Sequence, residues 1–365
     1  MMDAFLYQPI FLGITVGWAY LYSFRCIESV NFVMQTKETT FLIPFVVSLI
    51  FIFWIGNRPI SGAVFGDTAN YAVSYALMDV YEKFTFNWHT EWIWGLIMVT
   101  CKNIGFDVHS WFTVIEAGYM LTVLWAVKRF FPTNPLLGIL FVWTSLMFFT
   151  FGTNGLRNGL ACHIILLAMS FFFDDKYIIG GLLCLVALGI HRSTMLPIAG
   201  MLTARFILKD MKYAILFWIS SIFVSLIVGN ATTAFFASLG FDDRMSSYNT
   251  TIYANDFSQT GFRWDFLLYS AFPVLMGWYV CVKKKIKDDW YKTLCITYCL
   301  CNAFWVLVIR AAFSNRFAYL SWFMYPIVIA YPLVNLPVWE DQDRKTGQTL
   351  LAYASFTLFM QLIYW

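Results

Sequence analysis

Glu91-Trp92-Ile93-Trp94-Gly95-Leu96-Ile97-Met98-Val99-Thr100-Cys101-Lys102-Asn103-Ile104-Gly105 decides how this chain is threaded. The segment is apolar but shorter than the ~20 residues a helix needs to cross a bilayer. If it crosses, every later loop changes side. Charge arbitrates, because lysines and arginines gather in the cytoplasmic loops of membrane proteins. With 91–105 as a re-entrant or interfacial helix, the inner loops hold Arg25 and Lys37, Lys128 and Arg129, Lys176, Arg205, Lys209 and Lys212, the lysines from 283 to 292, and Arg344 and Lys345. Eleven of the 13 lysines then lie inside, and seven of the 11 arginines lie outside. Both termini face outward in this arrangement.

Working outward, the composition sets the class. The chain is 60% hydrophobic and 12% charged, against about 25% charge in a soluble domain. Apolar stretches recur at 4–24, 41–56, 111–127, 136–151, 158–173, 178–191, 193–207, 213–229, 264–282, 291–310, 317–336 and 349–365. The pattern predicts an all-α, polytopic integral membrane protein, with about 12 transmembrane helices plus the helix near 91–105. It reads as one integral-membrane domain over 1–365, with outer loops at 57–110 and 230–263. The pair 178–191 and 193–207 is short, which implies local membrane thinning or a water-filled crevice. Met1-Met2-Asp3 lacks a positive region, so 4–24 reads as a retained span rather than a signal peptide. No basic patch stands on a soluble fold, so nucleic acid is not an expected partner. The eight cysteines fall almost entirely in apolar segments and read as small packing groups.

The outer arginines are the chemical signal. Guanidinium is a planar fork of donors suited to phosphate oxygens, and it is more weakly hydrated than ammonium. Arg157, Arg192, Arg244, Arg263, Arg310 and Arg316 fall at or near the outer face, beside short or broken helices. Snorkelling to lipid phosphates would account for single members of the set. Arg157 lies in Gly152-Thr153-Asn154-Gly155-Leu156-Arg157-Asn158-Gly159. Asn154 is placed to cap the helix that follows, whose first amides and dipole favour an anion. Ser193 and Asn315 are placed to cap two more outward helix starts, with Arg192 and Arg316 adjacent. Three helix starts and three guanidiniums would suit a pyrophosphate.

Proton transfer has three candidates. His191 ends a short span, and its imidazole is a candidate general base or phosphate ligand. Asp67 sits in Gly66-Asp67-Thr68-Ala69-Asn70-Tyr71, and Glu91 opens the helix at 91–105. The residues do not choose among the three. Tyr71 heads a run of aromatics that would stack on sugar rings or form an interfacial belt. In the second outer loop, Asp242-Asp243-Arg244 offers an acidic pair with no third metal ligand at a fixed spacing. There is no phosphate-binding nucleotide loop, nucleophile elbow or His-Glu-x-x-His zinc motif. No cofactor or metal is expected.

The order of these elements resembles a known family. Gly66-Asp67-x-x-Asn70-Tyr71, a helix led by Glu91, Leu156-Arg157-Asn158-Gly159-Leu160-Ala161, His191-Arg192-Ser193, an Arg–Tyr loop and Asn315-Arg316-Phe317-x-Tyr319 follow one another over about residues 60–325. This is similar to the EpsG-type branch of the Wzy-like polysaccharide polymerases. The family more often has Arg-Gln at Arg157-Asn158 and Glu-Pro at Glu91-Trp92. The resemblance implies a GT-C-like membrane glycosyltransferase at the outer face of the bacterial plasma membrane. It would join oligosaccharide repeat units carried on undecaprenyl pyrophosphate, for O-antigen, capsule or exopolysaccharide. A flippase and a chain-length regulator of the same pathway are the implied partners. Arg157, Arg192, Arg244, Arg263, Arg310, Arg316, Tyr71 and Asn154 would bind the pyrophosphate or glycan. Asp67, Glu91 or His191 would take the proton. A lipid-linked-sugar ligase, an O-acyltransferase and a flippase are the alternatives.

Overall fold

A computed structural model describes residues 2–28, 41–81, 83–229, 231–232, 261–311 and 314–364. The described residues are helical throughout, with no strand among them. In chain order the helices are α1 (Ala4–Glu28), α2 (Leu42–Gly56), α3 (Gly62–Phe65), α4 (Thr68–Ala76), α5 (Trp92–Ile104), α6 (Val108–Phe130), α7 (Pro135–Trp143), α8 (Phe148–Thr153), α9 (Leu156–Phe173) and α10 (Tyr177–Ile190). They continue with α11 (Met195–Leu202), α12 (Met211–Val228), α13 (Trp264–Lys283), α14 (Asp289–Leu307), α15 (Asn315–Asn335) and α16 (Gln342–Tyr364). Among the described residues, α1, α6, α9, α12, α13 and α15 are long and apolar enough to cross a membrane, and α2 and α10 are shorter apolar helices. The chain is a polytopic membrane protein.

Two compact units divide the chain: residues 1–191 with 330–365, and residues 192–329. In the first unit, α1 packs on α16, α6 on α2 and α9, and α9 on α10. Local chemistry sets the turns. Gly105, at φ 91°, ends α5 in the left-handed conformation that only glycine adopts without strain, and Phe106 N–H returns to the Cys101 carbonyl at 3.0 Å. Two residues later the Asp107 carboxylate caps α6, accepting from Ser110 N–H at 2.8 Å. Those bonds hold the Asp107 carboxyl below its ordinary range. Asn134 caps α7 by accepting from Leu137 N–H at 3.0 Å, with Pro135 preset at the first helical position.

One expected span is interrupted. The stretch 136–151 reads as one helix, but α7 stops at Trp143 and α8 starts at Phe148. Thr144-Ser145-Leu146-Met147 contains no helix breaker. The break lets α8 turn inward: Gly159 of α9 sits against the Phe151 backbone, and Gly152 sits against the Glu116 carboxylate of α6.

In the second unit, α14 packs against α11, α12, α13 and α15. It is long enough to cross but less apolar than its neighbours, because its polar side chains are satisfied inside the unit. Asn302 is fully buried; it accepts from Trp218 Nε1 at 2.7 Å and donates to Ser321 Oγ at 3.0 Å. Tyr298 donates to the Ser270 carbonyl at 3.0 Å, and Trp322 Nε1 donates to Ser270 Oγ at 2.8 Å. Cys295, Cys299 and Cys301 are buried in the same helix, and Gly200 and Gly277 lie against two of their sulfurs.

Candidate functional site

Three helix ends in the first unit bring charged side chains together. Glu91 directly precedes α5, Arg157 is in the first turn of α9, and His191 follows the last residue of α10. The packing of α5 on α10 sets the spacing. Gly189, two residues before His191, lies so close to Ile93 that a Cβ would stand 2.7 Å from its Cγ1. With no side chain there, the start of α5 rests on the end of α10, and Glu91 meets His191.

Glu91 is shared. Its Oε2 accepts from Arg157 Nη1 in an ion pair, and its Oε1 lies 2.6 Å from His191 Nδ1. The Arg157, Glu91 and His191 side chains are 22%, 17% and 12% exposed, so the cluster is half-buried and still reached from outside. Arg157 Nε also donates to the Tyr71 hydroxyl at 3.3 Å, and its guanidinium stands 5.5 Å from the Tyr71 ring centre. Behind Tyr71 an aromatic wall runs from Trp94 at 5.7 Å to Trp111, which stacks on Tyr75 at 4.5 Å. Tyr75 donates to the Phe106 carbonyl at 2.9 Å, and burial pushes its phenol up to about 12.

This geometry fixes the proton inventory. A guanidinium on Oε2 favours the ionised form of Glu91. An ionised carboxylate only accepts, so His191 Nδ1 carries the proton in the pair. The lone pair of the neutral imidazole is then on Nε2. The arrangement places a carboxylate-oriented imidazole beside a guanidinium.

A second layer lies beneath it. Arg58, in the turn after α2, is fully buried. Its guanidinium donates to the Ile55 carbonyl at 3.0 Å, Thr68 Oγ1 at 3.1 Å and the Thr153 carbonyl at 3.2 Å. It also lies 4.7 Å from the Phe112 ring centre. Burial pulls Arg58 down to about 10, with the Glu116 carboxylate acting in the opposite sense, so it stays charged at neutral pH. Asn154 Oδ1 accepts from Asp67 N–H at 2.8 Å. Gly66, at φ 52°, presses on the Asn154 side chain, where any Cβ would clash.

The sequence candidates therefore separate. Glu91, Arg157, His191 and Tyr71 come together. Asp67 is joined to the α8–α9 turn through its backbone, and its carboxylate accepts from Asn70 Nδ2 at 3.4 Å. Asn154 does not cap α9 as expected. Gly155 is the capping residue, and the Asn154 amide is turned to the Asp67 backbone. Ser193 likewise lies inside a short turn at Arg192–Thr194, ahead of α11, rather than at its start. Asn315 is the first residue of α15 and donates to the Tyr319 hydroxyl at 3.3 Å. In the second unit, Arg192 is exposed and Arg316 half-buried. Arg263 is held by both oxygens of Asp265, at 3.0 and 2.7 Å, and Arg310 stands 5.5 Å from the Phe262 ring centre. Arg244 and the Asp242-Asp243 pair lie outside the described residues. Sequence reasoning passed over Arg58 and Glu116. Glu116 had a signal, as the single charged residue inside the expected span 111–127, since an ionisable group in a membrane helix marks a functional candidate.

The fold and this cluster define a polytopic membrane protein that gathers a guanidinium, a carboxylate and an imidazole at three helix ends. The chain belongs to the EpsG family, whose model matches residues 41–365. Membership makes it a membrane protein of polysaccharide biosynthesis and supports a polymerase in general. No curated protein and no solved structure matches the chain.

Proposed function

We propose that the protein is a membrane glycosyltransferase that polymerises oligosaccharide repeat units carried on undecaprenyl pyrophosphate. The work would be done at the outer face of the bacterial plasma membrane. One observation carries the mechanism: Glu91 bridges Arg157 and His191. His191 Nε2 takes the proton from the acceptor hydroxyl as its oxygen bonds to the anomeric carbon of the donor. The bond from that carbon to the pyrophosphate oxygen breaks, and its electron pair leaves with the pyrophosphate. Glu91 orients the imidazole and stabilises the imidazolium that forms. Arg157, which retains donors on Nη2, faces the charge growing on the leaving group. Preorganised donors at such a charge are worth ~2.7–4 kcal/mol each. Tyr71 positions Arg157 and offers a face to a sugar ring. The parts assigned to Arg192, Arg244, Arg263, Arg310 and Arg316 as pyrophosphate ligands, and to Asp67 and Asn154, rest on sequence alone.

The test uses full-length protein in vesicles with a synthetic lipid-linked repeat. His191→Ala should slow polymer formation by about 10²–10⁴, the usual contribution of a general base. Unchanged polymer in a well-folded His191→Ala protein refutes the assignment. Deletion in the host separates the alternatives. Loss of a polymerase leaves single repeats displayed on lipid, loss of a flippase leaves none displayed, and loss of a ligase or acyltransferase leaves polymer made.

A further inference from the structure

Two turns carry the residues proposed to act. Gly66-Asp67-Thr68 leads into α4 and Tyr71, and Gly152-Thr153-Asn154-Gly155 leads into α9 and Arg157. They are tied at three points. The Thr153 carbonyl accepts from both Arg58 Nη2 and Thr68 Oγ1, which uses both of its lone pairs. Asp67 N–H donates to Asn154 Oδ1. Arg58 Nη2 also donates to Thr68 Oγ1, so one guanidinium nitrogen reaches both turns. The guanidinium is sealed from solvent, where a charge is costly unless it is hydrogen-bonded or paired. Glu116 is the acidic side chain in range, yet it makes no bond with Arg58. Both Glu116 oxygens and Arg58 Nε lack a hydrogen-bond partner among the described residues. Arg58 thus spends its donors on two turns and a helix end rather than on the nearby carboxylate.

We propose that Arg58 is a positioning residue that sets Tyr71 and Arg157 at their working distance by locking the α3–α4 turn to the α8–α9 turn. Glu116 is the buried acidic side chain in range of the guanidinium. The inference rests on the function proposed above only for which reaction is affected. Gly152 fits the same scheme, because its missing side chain is what lets Glu116 lie against the second turn; a Cβ there would stand 2.9 Å from Oε1.

A neutral pair of substitutions distinguishes positioning from mere charge balance. Arg58→Met alone should fold poorly, since it removes the buried guanidinium's bonds to the Ile55 carbonyl, Thr68 Oγ1 and the Thr153 carbonyl and leaves the buried Glu116 without a cation in range. Arg58→Met with Glu116→Leu removes both charges, a change that buried pairs often tolerate. The double variant should regain the parent's thermal midpoint. It should still form polymer about 100-fold more slowly, the scale of a small misplacement at a reacting centre. Amide exchange, which needs no substrate, should show residues 66–72 and 152–158 losing protection together. If the double variant regains the parent rate, or keeps the parent's protection in both segments, Arg58 only balances Glu116 and the proposal fails. Thr68→Val, which leaves both charges in place, guards against a double variant that does not fold. It should raise exchange in the same two segments, and unchanged exchange there overturns the proposal. A parent protein that makes no polymer would remove the polymerisation reading and leave the exchange result standing.

Discussion

Glu91→Gln is the sharpest perturbation of the cluster. The side chain keeps its shape but loses its charge and one of two acceptor oxygens. In the parent each oxygen has its own donor, Arg157 Nη1 on Oε2 and His191 Nδ1 on Oε1. Glutamine has one oxygen for two donors. If its amide faces the imidazole, Nδ1 must become the acceptor, and the lone pair leaves Nε2. If its amide faces Arg157, two donors meet at half-buried positions and the guanidinium is displaced. Either outcome removes the base or moves the arginine. Loss of an oriented base costs about 10²–10⁴ in rate, or about 3–5 kcal/mol at 1.36 kcal/mol per tenfold. Folding should suffer less. The pair is neither fully exposed, where it would be worth up to about 1 kcal/mol, nor sealed, where breaking it would cost about 3–5 kcal/mol. The assay is polymer formation in vesicles, with kcat and KM separated. The expected result is a fall in kcat at nearly constant folded yield. Glu91→Gln with His191→Ala should be hardly slower than His191→Ala alone, because the two act as a unit. A Glu91→Gln protein within about threefold of the parent, against the 10²–10⁴ expected of a lost base, refutes the dyad. So does full additivity with His191→Ala.

Three further outcomes follow from the packing and the caps. Gly159→Ala places a methyl into the Phe151 backbone; it should cost about 1–3 kcal/mol by overpacking, read as a lower thermal midpoint. Asn302→Leu strands Trp218 Nε1 inside the second unit, while Ser321 Oγ keeps its bond to the Ala318 carbonyl; the one buried group left unpaired costs about 1–3 kcal/mol, and a denaturation midpoint equal to the parent's would contradict it. Asp107→Ala removes the cap of α6 and should cost about 1 kcal/mol at neutral pH, with Asn largely restoring it. Because the Asp107 carboxyl is held below its ordinary range, its contribution is present above that range and lost as pH falls through the depressed value. Parent and Asp107→Ala stabilities should therefore converge in acid.

Much of the fold is legible because a bilayer demands long apolar runs. The stretch 158–173 became Leu156–Phe173, and 41–56 became Leu42–Gly56. The break between Trp143 and Phe148 was not legible, since no local residue requires it and its cause is contact with α6 and α9. The site was legible only as separate marks. Glu91 lies 66 residues from Arg157 and 100 from His191, and nothing in the spacing says that one carboxylate serves both. Asn154 looked like a cap because capping is local, whereas its actual donor, 87 residues away, is tertiary. Arg58 was indistinguishable in sequence from an arginine at the membrane surface.

The buried polar line along α14 bears on how the protein is made. A segment leaving the ribosome is admitted to the bilayer by its own hydrophobicity, and the buried Thr297, Tyr298 and Asn302 count against α14 at that moment. Its partners Trp218 and Ser270 belong to helices synthesised earlier, but Ser321 comes later. If α14 spans the bilayer, its insertion should depend on its neighbours α12, α13 and α15, on which it packs. A nascent chain released between residues 307 and 315 should leave α14 half-committed and exposed to quality-control proteolysis, whereas a chain that includes α15 should retain it.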